Sequence, residues 1–352
     1  MMNKNIPFFN EAYRPWIIGL CFFSLIYWLS PILMPFVMGL LLSYICSPIV
    51  AYLHKKNIPR SIATGLVLIG LLTGTVTIFL ILIPLLSQEI NQIYTKVPSL
   101  LISLQQNLGP WITEHLHINI NNSFNAWIDL FQKNSTMTEP FLKNIFMSVR
   151  EESRILVQLL LSLLLVPVVF FYLLKDWPRL IPLWLSWVPN LWREPIHQFG
   201  LEVDILLGQY LRGQIVVILL MTCYYSIALL LTGLHSGWLI GIVTGLLVFI
   251  PYLGVLTGFI LALLSAWTDP TTNSFLILWV IIVFGTGHVL ESTLITPRLL
   301  GERIGLHPVA AILALLSFGQ ALGFFGVLIA LPATAILNIA VRRMVSSPAE
   351  QG

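Results

Sequence analysis

The segment that decides the fold lies between Trp238 and Trp267 and reads WLIGIVTGLLVFI-PYLG-VLTGFILALLSAW. Two uncharged, apolar limbs flank the turn-forming residues Pro251-Tyr252-Leu253-Gly254. As a helix, each limb would be about 20 Å long, whereas the hydrocarbon core of a bilayer is about 30 Å thick. The pattern therefore favours a helical hairpin over residues 236–267 that enters a membrane without crossing it.

The composition of the whole chain makes lipid the expected surrounding. Hydrophobic residues are 57% of the 352 residues and charged residues are 9%, against roughly 45–50% and about 25% in soluble domains. A soluble fold could not cover so much apolar surface with so few charges. The net charge of +3 is too small and dispersed for a nucleic-acid-binding surface, so we expect a lipid bilayer as the partner and no nucleic acid.

Apolar runs elsewhere predict an all-α polytopic membrane protein with about eight transmembrane segments, including two C-terminal helical hairpins, and a helical extramembrane insertion. The predicted order is an N-terminal segment 1–15, three spans within 16–86, the insertion 87–154, a fourth span 155–177, an amphipathic region 178–210, a transport region 211–343 with hairpins 236–267 and 307–341, and a tail 344–352.

Lysine and arginine near the ends of the spans predict the orientation. The basic turn 54–60 is expected in the cytoplasm, which places both termini inside and the insertion 87–154 outside. If the first hairpin re-enters, Arg298 and Arg303 lie inside, as the rule prefers; if it is one bent crossing, they lie outside. The sequence is compatible with both arrangements.

Interrupted helices at membrane depth are candidate substrate sites, because their ends expose backbone groups that need a partner. The two interruptions are Pro251–Gly254 and Gly319–Gly323, and the second contains Gln320. The alternative is that they are ordinary kinks or polar loops between short crossings. Three prolines are expected to break or begin helices, namely Pro297, Pro308 and Pro332.

Glu291 is the strongest single candidate, because it lies in an otherwise apolar helix. A charge at the centre of such a helix costs roughly 2.5–3.5 kcal/mol, less near an end, and H⁺ or Na⁺ would offset that cost. The alternative is a structural ion pair with Arg298 or Arg303. His288 lies one turn earlier, but two ligands do not make a metal site, and none is expected.

Three further polar residues are candidates for contact with a substrate or ion. Arg212 and Gln214 enter the fifth span, where Arg212 either gates a pathway or extends its side chain to the interface. His307 either titrates or caps the helix that Pro308 begins.

Motifs typical of enzymes are absent from the sequence. It contains no His-Glu-x-x-His, no Gly-x-Ser-x-Gly and no Gly-x-x-x-x-Gly-Lys-Ser/Thr. The sequence therefore predicts neither hydrolase activity nor a resident cofactor.

Several motifs resemble those of the autoinducer-2 exporter family, or PerM-type permeases. They are Phe170–Asp176 (FFYLLKD), Tyr210–Gln214 (YLRGQ), Ile250–Gly254 (IPYLG), Glu291–Gly301 (ESTLITPRLLG), Gly305–Pro308 (GLHP) and Gly323–Pro332 (GFFGVLIALP). One departure is Ser292-Thr293, where the family pattern leads us to expect an asparagine-containing pair.

The resemblance implies a multi-pass transport protein of the bacterial inner membrane, linked in some members to autoinducer-2 export and in others to sodium/proton antiport. It also makes a homo-oligomer plausible. The positions that the family's motifs carry over are Arg212, Gln214, Pro251, Tyr252, Gly254, Glu291, Pro297, His307 and Pro308.

Taken together, the sequence predicts a secondary transporter that exports a small polar molecule or an ion. Alternating access would move the two C-terminal hairpins and the helix Phe275–Thr296, with Glu291 coupling the movement to H⁺ or Na⁺. The alternatives are an oligomeric channel or passive pore, a Na⁺/H⁺ antiporter without an organic substrate, and a scaffold whose insertion recruits a partner.

Overall fold

The computed structural model describes residues 14–116, 153–268, 274–300 and 308–346, and these residues are helical apart from short turns, with no β-strand among them. The α-helices are α1 (Arg14–Lys55), α2 (Arg60–Leu116), α3 (Ser153–Trp187), α4 (Asn190–Leu231), α5 (Gly237–Leu247), α6 (Leu253–Thr268), α7 (Ser274–Leu290), α8 (Thr296–Leu300) and α9 (Pro308–Ser346). A π-helical turn, Glu291–Ile295, joins α7 to α8. The predicted all-α class is confirmed.

Six helices in the described ranges are long and apolar enough to cross a membrane. They are Leu33–Lys55, Arg60–Ser99, Leu160–Trp187, Asn190–Leu231, Phe275–Leu299 and Gly326–Arg343. Their apolar side chains point outward, as in Leu80, which is 70% exposed, and Leu163, which is 71% exposed. Such surfaces are stable in lipid, so the polytopic membrane architecture is also confirmed.

Several helices run further than the apolar pattern alone suggests. α1 continues through Pro35, and α2 continues from the third apolar run to Leu116, past the boundary expected at residue 87. The remainder of the predicted insertion, residues 117–152, lies outside the described residues. The expected break at Pro332 is wrong, since this proline lies inside α9. In a membrane, neighbouring groups can satisfy the carbonyl that a proline leaves without a partner.

Gly323 provides the break within α9. Its φ of 63° and ψ of −147° are non-helical, and a side chain would make such a backbone conformation costly. The break divides α9 into an apolar limb, Val309–Gly323, which is too short to span, and the longer segment Gly326–Arg343. The bend lies at the Gly319–Gly323 interruption in the sequence.

The chain forms two compact units. The first comprises residues 1–65, 157–204 and 305–352. Within it, α1 approaches α3 closely, because a Cβ on Gly39 would lie 2.7 Å from Cγ1 of Val169. Arg60 fastens the start of α2 to α3 by donating from Nε and Nη2 to the carbonyl oxygen of Leu174, at 3.1 and 3.0 Å.

The second unit comprises residues 66–156 and 205–304. It contains the hairpin α5–α6, the helix α7 that packs against α6, and the part of α4 from residue 205 onward. Its buried core joins α4 residues such as Met221, Tyr225 and Leu229 to Val280 and Phe284 of α7. Most of the candidate residues described below lie in this unit.

Candidate functional site

The hairpin α5–α6 is built on close backbone contact. Added Cβ atoms on Gly241 and Gly245 of α5 would lie 2.3 and 2.2 Å from the Cα atoms of Ser226 and Thr222 on α4. On α6, a Cβ on Gly258 would lie 1.9 Å from Oγ1 of Thr244. Small residues spaced by four thus let three helices approach closely, which is how helices associate where lipid supplies no hydrophobic driving force.

The hairpin tip, residues 248–252, is a tight turn between the two limbs. Tyr252 has a φ of 65°, an uncommon conformation for a residue with a side chain. Gly254 packs so closely that a Cβ would lie 2.4 Å from the carbonyl carbon of Leu247. Tyr252 is 56% exposed. The tip therefore presents an aromatic side chain beside backbone that is not helical.

Gln214 reaches the hairpin tip from α4. Its side chain is buried, and its Nε2 donates to the carbonyl oxygen of Val248 at 3.4 Å. The structure thus joins Gln214 to the turn that contains the sequence-predicted residues Pro251 and Tyr252 and leads into Gly254. Arg212 behaves differently, since it is exposed and its guanidinium lies against Gly208, one turn earlier on α4.

Glu291 begins the π-helical turn and is half-buried. The N–H of Thr296 donates to the carbonyl oxygen of Glu291, five residues back. The next residue, Pro297, has no N–H, so the α-helical bond pattern cannot be kept there and the chain widens. Single π-helical turns inside α-helices are frequent at functional sites. Pro297 therefore reshapes the helix without ending it, which corrects its expected role as a break.

The polar surroundings of Glu291 differ from those expected of an ion pair. It makes no salt bridge with Arg298, although both are described, and Arg303 lies outside the described residues. The hydroxyls of Ser292 and Thr293 donate to the carbonyl oxygens of His288 and Val289, at 2.8 and 2.6 Å. The two hydroxyls that replace the expected asparagine-containing pair are thus engaged by their own helix.

Two tyrosines of α4 face α7, the helix that leads into the π-turn at Glu291. The hydroxyl of Tyr224 donates to the carbonyl oxygen of Val283 at 2.9 Å and lies 2.6 Å from Oγ1 of Thr286. Tyr225 stacks on Phe284 with ring centroids 5.0 Å apart. Its hydroxyl is buried, has no hydrogen-bond partner among the described residues, and interacts electrostatically with Glu291. A buried, unpaired hydroxyl near a carboxylate is unusual.

Gln320 and His307 are the two remaining candidates. Gln320 is exposed on α9 and belongs to the first unit. His307 lies outside the described residues, whereas Pro308 is the first residue of α9. No group of three His, Cys, Asp or Glu side chains that could hold a metal ion occurs within the described ranges.

Sequence reasoning missed a second polar cluster in the same unit. Glu89 of α2 accepts hydrogen bonds from Ser236 and Ser265, at opposite ends of the hairpin sequence. The sequence predicts Glu89 within the extramembrane insertion, and isolated serines carry no motif. The signal available was a lone carboxylate soon after an apolar run, which alone does not name its partners.

Comparison with known proteins identifies a family and several relatives whose names describe transport proteins or permeases. The family described as AI-2E family transporter matches residues 16–346. The putative transport protein YrrI of Bacillus subtilis is 28% identical over 324 residues, covering 89% of this chain and 87% of its own length. YueF of the same organism is 24% identical, covering 91% and 86%. The putative permease PerM of Escherichia coli is 23% identical, covering 94% and 92%.

Proposed function

Because the chain belongs to the AI-2E transporter family, we propose that it is a secondary transporter that exports a small polar molecule or an ion by alternating access. That it is a multi-pass membrane transport protein follows from the family and from its membrane-spanning helices. The proposal adds the direction, the mechanism and the residues that carry it.

The observation that carries the proposal is the broken hairpin α5–α6 beside the π-turn at Glu291. In the second unit, the tip offers non-helical backbone and the buried amide of Gln214. α7 packs against α6 and ends at Leu290, immediately before Glu291. Interrupted helices that present backbone groups together with a carboxylate are a recurring design for substrate and ion sites in transporters.

Glu291 supplies the coupling in this mechanism. A proton or a sodium ion on its carboxylate neutralises the charge, which lowers the cost of exposing the π-turn to apolar surroundings. The ionised carboxylate instead favours a state in which water or a polar substrate reaches it. Ion binding thus shifts the population between two states, by as much as the ion's affinities for them differ.

Substrate, location and assembly are further parts of the proposal. The exporter family suggests a small polar solute similar to autoinducer-2 as cargo. We place the protein in the bacterial inner membrane with both termini in the cytoplasm, as its basic turns indicate. A homo-oligomer fits the outward-facing apolar helices, and no resident cofactor is required beyond H⁺ or Na⁺.

A flux assay in proteoliposomes with imposed proton and sodium gradients tests the proposal. Glu291→Gln keeps the size and hydrogen-bonding capacity of the side chain but removes its charge, and we expect loss of ion-coupled flux with normal insertion. Glu194→Gln, at an exposed position on α4, is the matched control and should retain coupling. Undiminished coupling in Glu291→Gln would refute the role of this residue.

Sodium/proton antiport without an organic substrate is the second candidate. It is favoured by the surroundings of Glu291, where His288 and the hydroxyl of Tyr225 interact with the carboxylate. In the same assay, proton flux driven by sodium in the absence of any solute favours antiport. Conductance well above carrier rates would instead indicate a channel.

A further inference from the structure

A cationic surface forms where the turn between α1 and α2 meets α3, from the side chains of Lys56, Arg60 and Lys175. Arg60 donates from Nε and Nη2 to the carbonyl oxygen of Leu174, at 3.1 and 3.0 Å. Lys175 is the next residue of α3, and Lys56 belongs to the turn. All of these residues are in the first unit. The contact between Arg60 and Leu174 thus brings lysines from two separate segments to the same end of that unit.

The two lysines of the cationic surface are positioned in the same way. Nζ of Lys56 lies 4.8 Å from the centre of the Tyr52 ring, and Nζ of Lys175 lies 5.8 Å from the centre of the Phe171 ring. In both pairs the aromatic residue precedes the lysine by four positions, and the face of its ring attracts the cation. The contact occupies no N–H donor with an acceptor oxygen, so both ammonium groups can still donate to an anion.

The described residues supply no ion-pair partner for the cationic surface. Arg60 is only partly exposed, yet neither it nor the two lysines form a salt bridge with a described carboxylate. The sequence has no Asp or Glu between residues 12 and 88, which excludes a partner from α1 and from the first half of α2. Removing a charge from water is costly unless the charge is paired. An anion from outside the chain would therefore stabilise this surface.

Two carboxylates of the same unit have partners of their own. Asp176 lies 4.0 Å from Arg179, and Asp204 accepts a hydrogen bond from the hydroxyl of Tyr44 at 2.8 Å. Lys55, in the last turn of α1, adds a further cation beside the turn. Positive charge therefore exceeds negative charge at this end of the helices, and the excess is complementary to an anionic ligand.

The side chains that flank the cationic surface are apolar or aromatic and face outward. Four of them, contributed by α1, α2 and α3, are each more than half exposed, namely Ile49, Tyr52, Ile62 and Tyr172. A free phosphate ion gains nothing from such surroundings. A phospholipid lays its acyl chains along them and places its phosphate at the level of the basic residues. The combination of charge and apolar surface thus favours a lipid as the occupant.

We propose that Lys56, Arg60 and Lys175 form a binding site for the head group of an anionic phospholipid, in the leaflet that borders the turn between α1 and α2. The ammonium groups and the guanidinium donate to the phosphate oxygens in charge-assisted hydrogen bonds. Basic pockets between transmembrane helices hold anionic head groups in this way. The bound lipid joins the turn to α3 beside the contact of Arg60 with Leu174. This site is independent of the proposed transport mechanism and of the side of the membrane that the turn faces.

Native mass spectrometry of the full-length protein in detergent tests the site without any flux measurement. The protein is titrated with phosphatidylglycerol, which is anionic, and with phosphatidylcholine, which carries a phosphate but no net charge. We expect tighter binding of phosphatidylglycerol, and we expect inorganic phosphate at the same concentration not to displace it. Equal affinity for the two lipids would overturn the proposal, and so would displacement by inorganic phosphate.

Substitutions locate the site within the protein. Lys56→Gln and Lys175→Gln each remove one charge and leave the contact of Arg60 with Leu174 in place, so each should weaken phosphatidylglycerol binding about fivefold. Arg298→Gln removes an exposed cation of the second unit and is the matched control, with binding as in wild type. Arg60→Gln should also weaken binding; if it fails to fold, the two lysine variants decide. Unchanged binding in both lysine variants, or an equal loss in Arg298→Gln, would refute the assignment.

Discussion

The contact between α5 and α4 gives the sharpest prediction, because it is a backbone contact that a single methyl group disturbs. In Gly241→Ala, the new Cβ would lie 2.3 Å from both Cα and N of Ser226. Carbon atoms pack at about 3.5–4.0 Å, so α5 must move by roughly 1 Å. Overpacking of this kind costs about 1–3 kcal/mol. Since alanine favours the helix over glycine by about 0.5–1 kcal/mol, we expect a net loss of roughly 1–2 kcal/mol.

The assay is the apparent Tm of the purified protein in detergent, followed by the fluorescence of its 11 tryptophans. The matched control is Gly70→Ala on α2, where a Cβ would meet nothing within 4 Å. It should raise the Tm slightly or leave it unchanged, whereas Gly241→Ala should lower it. If both variants melt at or above the wild-type temperature, the close approach of α5 to α4 does not exist as described.

Two further predictions concern hydrogen bonds around the hairpin and use the same Tm measurement. Gln214→Leu leaves the carbonyl oxygen of Val248 without its donor and should cost about 1 kcal/mol or more, while Gln88→Leu at an exposed position should have little effect; equal melting would discount the contact. Tyr224→Phe removes a hydroxyl with two partners and should destabilise by about 1 kcal/mol, whereas Tyr225→Phe removes a buried hydroxyl without one and should be neutral or stabilising. The reverse order would contradict these hydrogen-bond assignments.

Part of the candidate site could be predicted because membrane chemistry makes certain residues conspicuous. Glu291 is a carboxylate within an apolar run, and Pro251–Gly254 interrupts another such run, so each is visible without knowledge of its neighbours. The position of Gln214 at the start of a span and its family motif make it a candidate from sequence, whereas its contact with Val248 depends on the fold. The opposite case is Arg212, whose placement against Gly208 on its own helix gives no direct support for a substrate contact.

The Glu89 cluster shows why the rest could not be predicted. Its members are separated by 147 and 176 positions along the chain, and neither serine differs in sequence from any other serine in an apolar region. Only the packing of α2 against both limbs of the hairpin brings the three oxygens together.

The sequence alone determined that lipid surrounds the chain, that its segments are helices, and that the hairpin limbs are short, because these properties depend on local composition and on the thickness of a bilayer. Tertiary structure decided which helices touch, that a π-turn and not a break precedes Pro297, and that Glu89 meets two serines. Helix contacts in a membrane depend on close fit between small residues and on a few polar pairs. These interactions join positions far apart in sequence, and apolar periodicity carries no record of them.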